Sequence, residues 1–309
     1  MTEEKDRPKI RHIVISGGGG IGITYYGALR ESNKDGFWNI DDIQTIHGIS
    51  CGAIFAVVVT CLKQIGWDDY DDFFIKRPWE QVFKISPEKL VNAFTNSGIC
   101  GREDITNAIL PLLKAADLTV DSNFQQLYDL TGIEMHFYAT NFNTYELVDI
   151  SHKTHPDWKI VEALYSSAAL PILFRPNVVD GVCYVDGAFL CNYPINQCLE
   201  MAADPDEIFG LNKIDPPVNE DDPPLPVANY ANILEYVSDI VSKTMCKLSV
   251  PPKKTRYTME FMDENDPMFG LYSAIKTRES RYAKIQEGVN AWTKFKTQIG
   301  FCGNAGEES

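Results

Sequence analysis

The chain has 309 residues, 44% hydrophobic and 23% charged, which is ample material for a packed core and excludes disorder by composition. Its formal charge of -15 at pH 7, from 43 acidic against 28 basic residues, repels polyphosphate backbones, so no nucleic-acid partner is expected. The length accommodates one large α/β domain or two smaller ones.

Met1 to His12 is charged and lacks an apolar stretch before a small-residue cleavage site, so it does not read as a secretory signal. Eight cysteines are scattered without a C-x-x-C pair, the pattern of reduced thiols in a cytoplasmic protein. Ile10 to Ser16 is an apolar, β-branched run that ends in Gly17-Gly18-Gly19-Gly20-Ile21-Gly22, and Thr24 to Arg30 then has helical spacing. A second strand, turn and helix follow: Gln44 to Ile49, the sharp turn Gly48-Ile49-Ser50-Cys51-Gly52, and Ala53 to Leu62. That last run is the longest apolar one, and it is about half of what a bilayer-spanning helix requires. Both glycine turns fall at carboxyl ends of strands, the edge at which open α/β sheets bind ligands.

Between Trp67 and Tyr128 the pattern is that of polar-interrupted helix. Strands are expected at Met135 to Thr140 and Tyr145 to Ile150, a helix at Ile160 to Ser167, and a strand pair at Asn177 to Val179 and Val182 to Val185. His152 and His155, in a polar stretch ending at Pro156, read as solvated loop, and no metal site is predicted. Asp215 to Pro226 holds five prolines and four acidic residues, which marks a loop or boundary. Beyond it the chain looks helical, with one apolar stripe at Ile233, Leu234, Val237, Ile240 and Val241 and another at Leu271, Ile275, Tyr282, Ile285, Val289 and Trp292. Residues 270 to 298 carry six basic and two acidic side chains, a face that suits either solvent or anionic headgroups.

Gly17-x-Gly19-x-x-Gly22 between a strand and a helix matches a dinucleotide fingerprint, but that reading needs an acidic residue at the end of the second strand. Here Asp41 and Asp42 precede the strand, which ends at Ser50. Gly48-x-Ser50-x-Gly52 instead fits a nucleophile elbow, with an ordinary serine in a strand-to-helix turn as the competing reading. The first glycine loop supplies what such a serine needs, converging backbone N–H groups at a helix N-terminus. A serine also needs a base, and no histidine follows His155, while His47 on the incoming strand packs against the sheet. A carboxylate is left. Asp180-Gly181 reads as a hairpin turn, and Asp186-Gly187-Ala188 ends a buried strand that can reach the same edge.

Four blocks, SGGGGIGITYYGAL from Ser16, GISCGAIFAV from Gly48, SSAALPILFRP from Ser166 and YVDGAFLCNYP from Tyr184, resemble the patatin-like phospholipases in order and spacing. Weaker echoes lie at SGICGREDI from Ser97 and YATNFNTYELV from Tyr138. The resemblance covers residues 10–210 as a catalytic domain and leaves 211–309 as an acidic proline-rich loop and C-terminal helices packed on it. It implies a three-layer α/β sandwich with a mainly parallel sheet, related to the cytosolic phospholipase A2 catalytic domain. It further implies a Ser-Asp dyad, with Ser50 as nucleophile, Asp186 as base, and the N–H groups of Gly17, Gly18 and Gly19 as oxyanion hole. No metal or cofactor is then required. Ile21 stands where family members often carry Arg or Lys, and Ala188 stands where Asp-Gly-Gly is frequent.

The expected reaction is hydrolysis of a fatty-acyl ester of a phospholipid through an acyl-serine, by a cytoplasmic enzyme in transient peripheral contact with membranes or lipid droplets. Leu170, Ile172, Leu173 and Phe174, around Pro171, form a candidate acyl wall, with core packing as the competing reading. A triacylglycerol or lysophospholipid hydrolase uses the same dyad, and a catalytically silent lipid-binding module is the alternative outside enzymes.

Overall fold

The computed structural model describes residues 9–201, 204–214, 233–262 and 267–302. The first units are β1 (His12–Ile15), α1 (Gly22–Lys34), β2 (Thr45–Gly48) and α2 (Cys51–Thr60). The polar-interrupted region resolves into α3 (Trp67–Lys76), α4 (Trp79–Val82), α5 (Pro87–Asn96), α6 (Arg102–Ala115) and α7 (Phe124–Thr131). Then come β3 (Glu134–Asn141), β4 (Glu146–Ile150), α8 (Ile160–Ala168), β5 (Asn177–Val179), β6 (Val182–Asp186), α9 (Ile195–Met201) and β7 (Ile208–Ile214). The C-terminal part holds α10 (Ile233–Leu248), β8 (Tyr257–Met262), α11 (Pro267–Ile275) and α12 (Arg278–Gln298). Asp215 to Pro226, expected as loop, lies outside the described residues.

Among the described residues eight strands join one mixed, mostly parallel sheet in the order β5-β6-β3-β2-β1-β7-β8, with β4 on β3. The run from β3 to β8 is parallel, and β4, β5 and β6 are antiparallel to their neighbours. Asp180 and Gly181, with φ of 50° and 80°, make the expected two-residue hairpin between β5 and β6.

The period-2 alternation of strands sorts the two faces. Ile13, Ile15, Ile46, Met135, Phe137, Phe209 and Leu211 share one large core with residues of α1, α2, α8 and α12. Val14 and Ile208 point the other way, onto Ile195 and Cys198 of α9. That second face also carries a polar row across three strands. His47 stacks on His136 with ring centroids 4.5 Å apart, its Nδ1 lies 2.9 Å from the Tyr138 hydroxyl, and its Nε2 lies 3.1 Å from Thr45 Oγ1. Burial, with His136 and His12 nearby, holds the His47 imidazole well below its usual pKa. His47 is therefore a satisfied interior group of the sheet.

The C-terminal part departs from the all-helical expectation. Tyr257, Met259 and Phe261 are buried in alternation, and β8 extends the parallel sheet beside β7. The strand's sequence signature is the period of two in Tyr257-Thr-Met-Glu-Phe-Met, a short run between two longer helical stripes. The second stripe is also broken, because Thr277 caps α12 through the Ser280 N–H. Tyr282 is consequently exposed, while Arg281 is buried and donates to the carbonyls of Ile275 and Ile75. The basic face expected over 270 to 298 is thus partly spent on partners: Arg281 is buried, Lys296 pairs with Asp35 of the neighbouring loop, and Lys284 pairs with Glu287 on the surface of α12.

α12 lies against α1 at a backbone-to-backbone approach. A Cβ on Gly27 would stand 2.1 Å from the Ile285 carbonyl oxygen, and one on Gly288 would stand 2.0 Å from that of Thr24. Neither carbonyl can swing away without breaking its helix. Gly27→Ala and Gly288→Ala are each expected to lose about 1–3 kcal/mol of unfolding free energy in urea titration, despite alanine's ~1 kcal/mol propensity advantage. Unchanged stability would mean the two helices do not make this contact.

Candidate active site

β2 ends at Gly48 and α2 begins at Cys51, so the chain must reverse within two residues. Ser50 takes φ 55° and ψ -123°, a conformation sparsely populated by residues with a side chain. The elbow glycines are required by space. A Cβ on Gly48 would lie 2.6 Å from the Gly52 carbonyl oxygen, and one on Gly52 would lie 2.3 Å from that of Ile15. The elbow thus sits against the end of β1, where the other glycine loop starts.

Asp186 arrives from β6. Phe137 of β3 pairs with Gly48 of β2 and, on its other side, with Ile150 of β4. Ala139 pairs with Asp186 of β6 and, on its other side, with Val148 of β4. Since β4 occupies one edge of β3, β2 and β6 must share the opposite edge, running toward each other and stopping either side of Tyr138. Their carboxyl ends meet there, which brings Ser50 and Asp186 together.

The junction is stitched through the Tyr138 carbonyl. Ser167 Oγ donates to it at 2.8 Å and accepts the Ser50 backbone N–H at 3.0 Å. Gly187 closes on the same carbonyl, where a Cβ would approach to 2.3 Å. Ser167 is fully buried at the end of α8, and the block SSAALPILFRP in which it stands carries no sign of this role.

Asp186 is 1% exposed, and its Oδ1 accepts the Ala188 N–H at 2.9 Å. Burial pushes its carboxyl up to about 6, against the downward pull of the Ala188 N–H and the Ser50 hydroxyl. Ala188 in place of glycine leaves that N–H bond intact. Burial also pushes the neighbouring Cys51 thiol up to about 12, which keeps it protonated near neutral pH.

Gly17 packs beside Ser50, where a Cβ would stand 3.3 Å from the serine's own. Its N–H donates to the Asn192 carbonyl at 3.0 Å and is therefore not offered to a ligand, a departure from the expectation that three glycines act alike. Gly18 and Gly19, with φ of 149° and 62°, do line the adjoining cavity. Lys213 of β7 lines it too, its stem packed where a Gly18 Cβ would lie.

That cavity has a volume of about 1040 Å³, and Ser50 and Asp186 stand in its wall. Most of its lining is apolar, from Phe55, Phe74, Trp79, Ile109 and Leu112 among others. Of the candidate acyl wall, Leu170, Leu173 and Phe174 line the cavity and Ile172 does not. Ile172 sits in a left-handed turn at φ 76°, and its carbonyl accepts the Ile99 N–H at 3.0 Å. The segment from Ser97 runs alongside 172–175 there, with Cys100 N–H on the Leu173 carbonyl at 2.8 Å. The walls given by α3, α4 and α6 were not legible as a site, because their apolar residues are indistinguishable from core in sequence. Among the described residues no group of three His, Cys, Asp or Glu side chains is placed to hold a metal ion.

The chain matches the family model described as patatin-like phospholipase over residues 13–199, a span that contains the glycine loop, Ser50 and Asp186. A protein of Invertebrate iridescent virus 6, named as a probable lipid hydrolase, is 27% identical over 193 residues, which are 62% of this chain and 64% of that one. The match thus spans just under two thirds of that relative. VipD from Legionella pneumophila is 14% identical with a TM-score of 0.51, over 94% of this chain and 67% of that chain, a likeness of fold. Human GIVD cytosolic phospholipase A2 is 13% identical with a TM-score of 0.46, over 96% and 59% of the two chains.

Ser167→Ala removes both the acceptor for Ser50 N–H and a donor to Tyr138. It is expected to cost about 1–3 kcal/mol in urea titration, the range for leaving a buried partner unsatisfied. A loss below a few tenths would show that the elbow holds its shape without Ser167.

Proposed function

The chain belongs to the patatin-like phospholipase family, and from that premise we propose that it is a lipid acyl hydrolase of the phospholipase A type working through Ser50 and Asp186. The observation that carries this reading is the meeting of the Ser50 hydroxyl with the buried Asp186 carboxyl in the wall of a large apolar cavity. Serine is a weak nucleophile until a base takes its proton, and here the base on hand is a carboxylate. Its raised pKa improves the match, since a base near 6 takes a hydroxyl proton more readily than one at 3.8.

In this mechanism Asp186 accepts the Ser50 proton as Oγ attacks the ester carbonyl carbon. The tetrahedral oxyanion is held by backbone N–H groups of the glycine loop, with Gly18 and Gly19, which line the cavity, as the donors and Gly17 anchoring the loop through Asn192. Collapse breaks the bond to the leaving alcohol, which takes the proton from Asp186, and the acyl group stays on Ser50. Water, deprotonated by Asp186, then attacks the acyl-serine carbonyl; collapse breaks the bond to Ser50 Oγ, which takes the proton back from Asp186, and the fatty acid is released. Leu170, Leu173 and Phe174 border the space for the acyl chain. In this reading the substrate is reached by transient peripheral contact with a lipid surface; no helix among the described residues is long and apolar enough to cross a membrane.

Free fatty acid release from mixed phosphatidylcholine and triacylglycerol micelles tests the reading. Wild type is expected to release acid, while Ser50→Ala and Asp186→Asn lose activity by on the order of a thousandfold or more. Equal release by all three proteins would refute the assignment, and the lipid consumed identifies the preferred class.

The pH profile follows from the same carboxyl. The base form of Asp186 is required, so kcat should rise about tenfold per pH unit below 6 and level off above it. Folding responds in the opposite sense. A carboxyl whose pKa is raised in the folded state gives its full stability below the unfolded value of 3.8 and loses it as pH climbs through about 6. Asp186→Asn is therefore expected to be at least as stable as wild type at pH 8, by up to ~3 kcal/mol in urea titration. A destabilised Asn variant would contradict the burial penalty.

A further inference from the structure

The apolar stripe of α10 is not fully covered. Ile233 and Ile240 are exposed, and at the helix's far end Leu248 and Val250 remain 43% and 59% exposed. Ser249, Val250, Pro251 and Pro252 at the same time line the cavity, so this segment forms part of its rim. Across the stretch 240–259 the sequence carries five basic residues and no acidic one, in a chain of net charge -15. Lys243 pairs with Asp239 and Arg256 approaches Asp206, but Lys247, Lys253 and Lys254 are exposed and form no ion pair among the described residues.

The rim is fastened to the segment that follows Asp186. Val250 N–H donates to the Leu190 carbonyl at 3.2 Å, and Asn192 N–H to Ser249 Oγ at 3.2 Å. Asn196 of α9 grips the next turn, accepting the Lys253 N–H at 3.1 Å and donating to the Pro251 carbonyl at 3.3 Å. Met245, one turn earlier, packs on Ile49, Tyr138, Ala188 and Cys191. The exposed apolar edge and its lysines are thus held at a fixed position relative to Ser50 and Asp186.

We propose that the end of α10 and residues 249–256 form a docking surface for an anionic lipid bilayer, with Leu248 and Val250 entering the headgroup layer and Lys247, Lys253 and Lys254 meeting the lipid charges. The proposal rests on the lipid-hydrolase reading and adds to it where the lipid surface is met and which sign of charge it carries. Two features favour a bilayer over an acidic protein: the apolar side chains sit between the lysines, and they continue into an apolar cavity, so an acyl chain could pass inward without crossing water. The acidic remainder of the molecule does not forbid contact, because charges farther than about 8 Å from the surface are screened at physiological ionic strength. Lysine stems can lie along the apolar edge while their ammonium groups reach the phosphates.

Co-sedimentation of the full chain with phosphatidylcholine vesicles, with and without phosphatidylserine, tests this. Wild type is expected to partition more strongly onto the anionic vesicles, and K247Q/K253Q/K254Q to lose affinity for them by about a hundredfold, roughly fivefold per lysine. The Lys→Arg triple, which keeps the charge, should bind as wild type, and both triples should hydrolyse a short-chain soluble ester at the wild-type rate. Ser50→Ala should bind vesicles normally while losing ester hydrolysis, so a failure of the catalytic reading leaves the docking result standing and distinguishable. Equal partitioning of wild type onto both vesicles, unchanged binding by the Gln triple, or equally tight binding to heparin would each overturn the proposal.

Discussion

The site depends on Tyr138 being the one residue of β3 left between two strands that arrive from opposite directions on the same edge. Gly48 is registered to Phe137 and Asp186 to Ala139. A slip of one residue in either ladder would displace its strand by about 3.3 Å and turn its side chains to the other face. Either error exceeds what a hydrogen bond tolerates. The register is further secured at the Tyr138 carbonyl, which Ser167 bonds on one side and Gly187 contacts on the other. Through Ser167 the elbow is tied to the strand that also positions the Asp186 carboxylate, so Ser50 and Asp186 share a single reference atom.

Such a site is assembled against local preference. Ser50 holds a positive φ, of the kind that costs of order 1–3 kcal/mol, and Asp186 is buried and forms no ion pair among the described residues. These costs are carried by the surrounding packing. The face of the sheet behind Ser50 is covered by one continuous apolar core, and the elbow itself is wedged against the end of β1. The opposite face is more polar, and it is satisfied by paired ring nitrogens and hydroxyls across β1, β2 and β3. That arrangement keeps the strands in register without bringing a histidine to the site.

The C-terminal part completes this scaffold on the side away from β6. β8 adds to the parallel edge beyond β7, and Trp292 of α12 fills the space against Phe37 while its indole N–H bonds to Asp35 at 2.6 Å. α10, reached after β7, supplies the rim of the cavity. Ser50 and Asp186 thus stand on the central part of the sheet, and the cavity beside them is walled by α3, α4 and α6 on one part and by the end of α10 on another.

Much of this was legible in the sequence alone. Gly48-x-Ser50-x-Gly52 announces a strand-to-helix elbow, because only glycine fits where two backbones nearly touch, and Asp186-Gly187 announces an acid at a strand end for the same reason. The alternation and helical spacing of the first two units, and the Asp180-Gly181 hairpin, are likewise local properties written in neighbouring residues. Three things were not. The anchoring of Gly17 depends on Asn192, the support of the elbow depends on Ser167, and the cavity wall includes Leu170, Leu173 and Phe174 but leaves out Ile172. Each is a contact between residues far apart in the chain, where an asparagine, a serine or an isoleucine carries no mark of its partner. Local sequence determines which turns are possible, since sterics act between near neighbours. The pairing of strands decides which turns face one another, since it joins segments that have no local knowledge of each other.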